Sequence, residues 1–147
     1  MRAQPLIAVH DVEASSAWYC AVLDAESAHG GPEYERVVVN GVLVLQLHRL
    51  DVEHHHGPFA DPEQPIGNGV AIWFEADDLP AAAARAITVG ATVQTDVHHN
   101  PNAGHDELWL RDLDGYLVVL ASSGAEDFAV QDGDPAVRAV GPLAPRG

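Results

Sequence analysis

The chain has 147 residues, 47% hydrophobic and 20% charged, enough for one globular domain or two small halves on a shared core. Its formal net charge is -15, and its seven Lys and Arg are scattered, which excludes the basic patch that nucleic acids and anionic membranes require. A lone cysteine, Cys20, excludes an internal disulfide and a cysteine-based metal cluster. No apolar run is long enough to span a bilayer and no secretory leader is visible, so a soluble cytoplasmic protein is expected.

Taken in chain order, the first apolar segment, Leu6 to Val9, predicts a strand. Asp11 follows, placed to cap a helix, with Trp18, Ala21 and Val22 spaced for one buried face. Glu35–Val39 and Val42–His48 flank Asn40-Gly41 and predict a hairpin. Residues 51–68 are rich in His, Pro and Gly and read as a connection. The plan then repeats. A strand through Ala71–Phe74 runs to Asp78, with Pro80 in the first turn of a second helix. Leu79, Ala83 and Ala86 share its apolar face, and Gly90 is placed to stop it. Strands are predicted over Thr92–Val97, Glu107–Arg111 and Tyr116–Ala121, with a turn at Asp112–Gly115. Residues 124–147, rich in Gly, Pro and Asp, read as a surface tail. The prediction is an α+β domain over 1–123, with module one at 4–50, a linker at 51–68 and module two at 69–122.

Three segments carry a resemblance. Arg111-Asp112-Leu113-Asp114-Gly115-Tyr116 resembles the Asp-Pro-Asp-Gly turn before the last strand of the vicinal-oxygen-chelate superfamily, with Leu113 in place of proline. Phe74–Leu79 resembles the entry to that family's second helix, and Val9–Ser15 with Trp18-Tyr19 the first. This is the superfamily of glyoxalases, bleomycin-resistance proteins and extradiol dioxygenases. The resemblance covers residues 4 to about 122. It implies two β-α-β-β-β modules forming a concave mixed-sheet cleft. It also implies a homodimer, and in many members a divalent metal on four side chains.

The resemblance puts those ligand positions at Gln4, Gln46, Ala71 and Val119. Alanine and valine offer no donor, and neutral amides are weak ones, so the family's usual metal chemistry is not expected. A shift of one residue in module two brings only Val70 or Ile72 and Val118 or Leu120. No cofactor is predicted. The one metal alternative uses His48, His105 and Glu107; it competes with a polar loop of locally bonded histidines.

Strand alternation puts Val42, Val44, Gln46 and His48 on one face. It does the same for Ala71, Trp73 and Glu75, and for Glu107, Trp109 and Arg111. Gln4, Gln46, His48, Trp73, Glu75, Trp109 and Arg111 are the candidate ligand-binding residues: two indoles for a flat ligand and a few polar groups. The same residues also read as core tryptophans and a Glu75–Arg111 salt bridge. The expected function is binding of a hydrophobic, aromatic or antibiotic-like small molecule. The alternative is an enzyme of isomerase, lyase or dioxygenase type, with Glu75, His48 or Glu107 as candidate catalytic base.

Overall fold

Each half of the chain opens with a short apolar strand that breaks at an aspartate, and the helix that follows is capped by it. The computed structural model describes residues 2–52, 55–61 and 63–124. In chain order the elements are β1 (Leu6–Val9), α1 (Val12–Leu23), β2 (Glu26–Ser27), β3 (Tyr34–Val39), β4 (Val42–Arg49), β5 (Ala71–Ala76), α2 (Leu79–Thr88), β6 (Thr92–Asn100), β7 (His105–Arg111) and β8 (Leu117–Ser122). Asp11 accepts from the Ala14 amide at 2.9 Å, and Asp78 accepts from the Ala81 amide at 2.9 Å. These are equivalent N-caps on helices that would otherwise leave their first amides unpaired. Asn40 and Gly41 both have positive φ, 50° and 76°, which suits the tight turn joining β3 to β4.

The strands form two four-stranded mixed sheets, ordered β1-β4-β3-β2 and β5-β8-β7-β6. In each, the first strand pairs in parallel with the last and the others pair antiparallel. This is the expected α+β arrangement of two β-α-β-β-β modules. The sequence does not reveal β2, because two residues carry no periodicity. β6 and β7 are longer than their hydrophobic pattern suggests, extending to Asn100 and back to His105. The predicted tail from 124 onward falls, after Gly124, outside the described residues. Among the described residues no helix is long and apolar enough to cross a membrane.

One apolar core joins both modules. Val9, Tyr19, Val22, Leu45 and Leu47 from the first lie in the same cluster as Leu79, Ala86, Leu110 and Val118 from the second. The helix faces differ slightly from expectation. Tyr19 is fully buried where Ala21 is only partly so, and Ala82 is more buried than Ala83. Polar ties run alongside. Tyr19 Oη donates to Asp112 Oδ2 at 2.7 Å, and Tyr116 Oη to the Ala8 carbonyl at 3.0 Å. The His10 amide donates to Asp114 Oδ1 at 3.0 Å, and Arg85 Nε to the Val22 carbonyl at 3.1 Å. The turn that carries the strongest resemblance thus clasps module two onto the β1–α1 corner of module one.

The connection between modules is held at Gly67. Its φ is +72°, and a Cβ there would lie 2.6 Å from Cδ1 of the buried Tyr116 ring. That ring is pinned through its hydroxyl and cannot swing away. Gly67→Ala should therefore cost about 3 kcal/mol, from left-handed strain plus overpacking. Gly69→Ala is the control. It shares the left-handed φ, +77°, but its added Cβ meets nothing within 4 Å, so only the strain of about 1 kcal/mol remains. Urea unfolding of the two variants separates these contributions.

Candidate functional site

Strand register puts the candidate residues of module two on one face, as alternation predicts. Trp73 and Trp109 both stand opposite Val119, Glu75 and Glu107 opposite Ala121, and Ala71 and Arg111 opposite Leu117. This separates Glu75 from Arg111 by the length of β8, so the salt bridge weighed between them does not form. Arg111 instead donates to Gln94 Oε1 at 2.6 Å and to the Gly115 carbonyl at 2.8 Å.

At one end of this face lies Glu107, whose side chain is only 1% exposed. Its carboxylate accepts from Asn100 Nδ2 at 2.6 Å, Trp109 Nε1 at 2.7 Å and His105 Nε2 at 2.9 Å, with His98 Nε2 at 3.8 Å. Burial pushes this carboxyl up. The hydrogen bonds from Asn100, Trp109 and His105 outweigh it and hold Glu107 below the usual carboxylate range. Glu107 is therefore a fixed anion with its oxygens engaged, not a free base. The Trp73 ring lies 5.8 Å from that of His105 and is 48% exposed, an indole left open on a strand face.

Module one presents a different surface. Gln46 Oε1 accepts from Tyr34 Oη at 2.6 Å, and Gln46 Nε2 donates to the Gln4 carbonyl at 3.1 Å. The Gln4 side chain is on the exposed N-terminal segment. His48 is buried on β4, where its ring meets those of His56 and Phe59 from the connection, with centroids 5.1 and 4.7 Å away. The structure does not gather the His48, His105, Glu107 metal alternative into one cluster among the described residues. His105 and Glu107 meet, but His48 belongs to the other sheet and packs under the connecting segment. Among the described residues no group of three or more His, Cys, Asp and Glu is arranged to hold a metal ion.

The metal that the fold implies is also not fitted by the residues at its expected positions. Ala71 and Val119 supply no donor atom, and the Gln46 amide is committed to Tyr34 and Gln4.

Three hollows take up four of the candidate ligand residues, His48, Trp73, Glu75 and Arg111, while Gln4, Gln46 and Trp109 line none of them. The first, about 750 Å³, lies between the modules and is lined by Val42, Val44, Trp73, Phe74, Glu75 and Arg85 among others. The second, about 800 Å³, lies between the connection and the clasp turn, with His10, Arg111 and Asp114 in its wall. The third, about 380 Å³, is bounded by His29, Tyr34 and His48. Only the first combines aromatic and aliphatic walls with charge of both signs.

Two polar features escape a reading by residue type. The Asn100 and His98 arms of the Glu107 cluster come from an irregular edge strand, whose pairing with β7 shifts between Val93 and His98. Glu35 is the other. It shares the inward period of Val37 and lies opposite Leu47, so alternation alone could have flagged a buried carboxylate there.

Comparison with known proteins agrees with this architecture. A family model described as a glyoxalase-like domain matches residues 5–121. No curated protein sequence matches the chain. Among solved structures, an integron cassette protein from V. Cholerae is similar at 19% identity and a TM-score of 0.63, covering 84% of this chain and 98% of that one. Fosfomycin resistance protein FosX from Mesorhizobium Loti is similar at 13% identity and 0.61, covering 85% and 93%. Lactoylglutathione lyase from Agrobacterium tumefaciens is similar at 20% identity and 0.60, covering 83% and 93%. At these identities the likeness is one of fold. With a family match over most of its length and the paired β-α-β-β-β modules beneath it, the chain belongs to the glyoxalase-like domain family, within the vicinal-oxygen-chelate superfamily.

Proposed function

We propose that this protein binds a flat, hydrophobic or aromatic small molecule in the groove between its modules. The observation that carries this reading is the half-exposed Trp73 indole on the wall of a hollow of about 750 Å³. Valine and phenylalanine residues line the same hollow, and Glu75 and Arg85 supply charge in its wall. Such a mix is typical of small-molecule sites: apolar area gives affinity and a few polar groups give orientation. An indole face favours conjugated ligands over aliphatic ones. Glu75 favours a cationic or hydroxylated edge on the ligand.

Tryptophan fluorescence tests the proposal directly. Trp18 is buried and Trp109 is tied to Glu107, so Trp73 is the indole a ligand reaches first. Titration with a panel of planar natural products should give saturable quenching. Fosfomycin belongs in the panel as a small, non-aromatic comparison, because a similar structure is a fosfomycin resistance protein. Trp73→Ala should weaken the best ligand about tenfold or more, as expected for loss of an aromatic anchor. No saturable ligand in the panel, or affinity indifferent to Trp73→Ala, would sink the reading.

A further inference from the structure

The Glu107 cluster fixes one histidine in a chemically defined state. An ionised carboxylate can only accept, so the 2.9 Å contact requires the proton of neutral His105 to sit on Nε2. The lone pair is then on Nδ1. Among the described residues, Nδ1 of His105 has no hydrogen-bond partner, and no buried side-chain nitrogen or oxygen lacks one. Nδ1 is therefore open to solvent, on a side chain that is 17% exposed. The indole of Trp73 lies beside the same ring, 5.8 Å between centroids. A carboxylate buried behind a histidine, an open ring nitrogen in front and an aromatic platform alongside are the parts of a general-base site.

We propose that His105 is a general base, oriented by Glu107, that removes a proton from a flat conjugated carbon acid stacked on Trp73. Glu107 is the positioning residue. Asn100 and Trp109 hold its carboxylate in place, and His98 is the other titratable group facing it. The proton moves to Nδ1, its electron pair stays with the conjugated ligand, and the imidazolium is stabilised by the anion behind it. The inference rests on the proposed groove only in using Trp73 as the platform.

The probe is 5-nitrobenzisoxazole, a planar carbon acid. Transfer of its C3 proton to His105 Nδ1 places the electron pair in a new C–N π bond and breaks the N–O bond. The product is 2-cyano-4-nitrophenolate, and the proton leaves His105 to water. The full chain should open the probe about 100-fold or more faster than the same concentration of free imidazole, within the usual range for a positioned base. His105→Asn should remove that advantage, and Trp73→Ala should raise KM more than it lowers kcat. A wild-type rate equal to that of imidazole, or one unchanged by His105→Asn, overturns the proposal. Nitrogen-15 NMR of His105 supplies the positioning readout. The expected state is the Nε2-protonated tautomer, shifting to a mixture in Glu107→Gln; an Nδ1-protonated tautomer in the wild type overturns it even if Glu107→Gln fails to fold. Quenching of Trp73 by the probe reports binding separately from rate. An active base with no natural-product ligand, or a bound ligand with no base, is thus told apart.

Discussion

Asp112→Ala should lower stability by about 4 kcal/mol, the largest loss expected from any single side chain outside the apolar core. The carboxylate accepts from Tyr19 Oη at 2.7 Å, from the Tyr116 amide at 2.8 Å and from the Asp114 amide at 3.0 Å. The first of these bonds crosses between modules, and the other two shape the turn into β8. Removing the carboxylate leaves the hydroxyl of fully buried Tyr19 without its acceptor and loosens the turn whose Asp114 holds His10. Burial pushes the Asp112 carboxyl up from its usual range, opposed by the bonds from Tyr19, Tyr116 and Asp114. For a domain of this size the change corresponds to a Tm lower by on the order of 15 °C. Tyr19→Phe removes only the crossing bond and should cost about 1–2 kcal/mol. A double-mutant cycle should then show coupling of about 1 kcal/mol between the two positions. Additive losses in denaturant unfolding would mean that the clasp between modules does not operate through this pair.

Acid lability is the second large effect, and it centres on Glu35. This carboxylate is 2% exposed. It gathers the Ser27 hydroxyl at 2.6 Å and the amides of Ala28, His29, Gly30 and Arg36 at 3.2, 2.9, 3.0 and 2.7 Å. The segment after β2 is wrapped around one anion. Burial pushes this carboxyl up, but the bonds from Ser27, Arg36, His29 and Gly30 outweigh it and bring it from 4.5 down to about 2. A depressed folded-state pKa stabilises above the unfolded value. The contribution is thus fully present above about pH 4.5 and is lost as pH falls through about 2. It amounts to about 3 kcal/mol at neutral pH. Glu35→Gln should lose about that much, because its amide would turn hydrogens toward hydrogen-bond donors. The variant should also show a flatter stability profile between pH 4.5 and 2 than the wild type. Urea unfolding across that window checks it; parallel profiles for the two proteins would place the acid-sensitive group elsewhere.

Residue pattern alone went far toward the fold. The two capping aspartates, the Asn40-Gly41 turn and the strand alternation all depend on neighbours within a few positions, and local chemistry decides them. Alternation also assigned Trp73, Glu75, Trp109 and Glu107 to one face correctly, since a strand with one buried face admits only one register. The short β2 lay below the length at which a period exists.

What tertiary structure decided was which of these residues meet. Glu75 and Arg111 share a face but not an end, because β8 separates them. His48 and His105 are both strand histidines, yet the two sheets keep them on different modules. Glu107 read as a candidate base. Packing engaged its oxygens, because Asn100 reaches it across the β6–β7 ladder while His105 and Trp109 flank it two residues away on β7. Composition and charge set the expectation against nucleic-acid and membrane partners, because they are properties of the whole chain. The His105–Glu107 contact joins neighbours two apart on one strand, whereas the Asn100 bond that completes the cluster comes from β6 and is set by strand pairing.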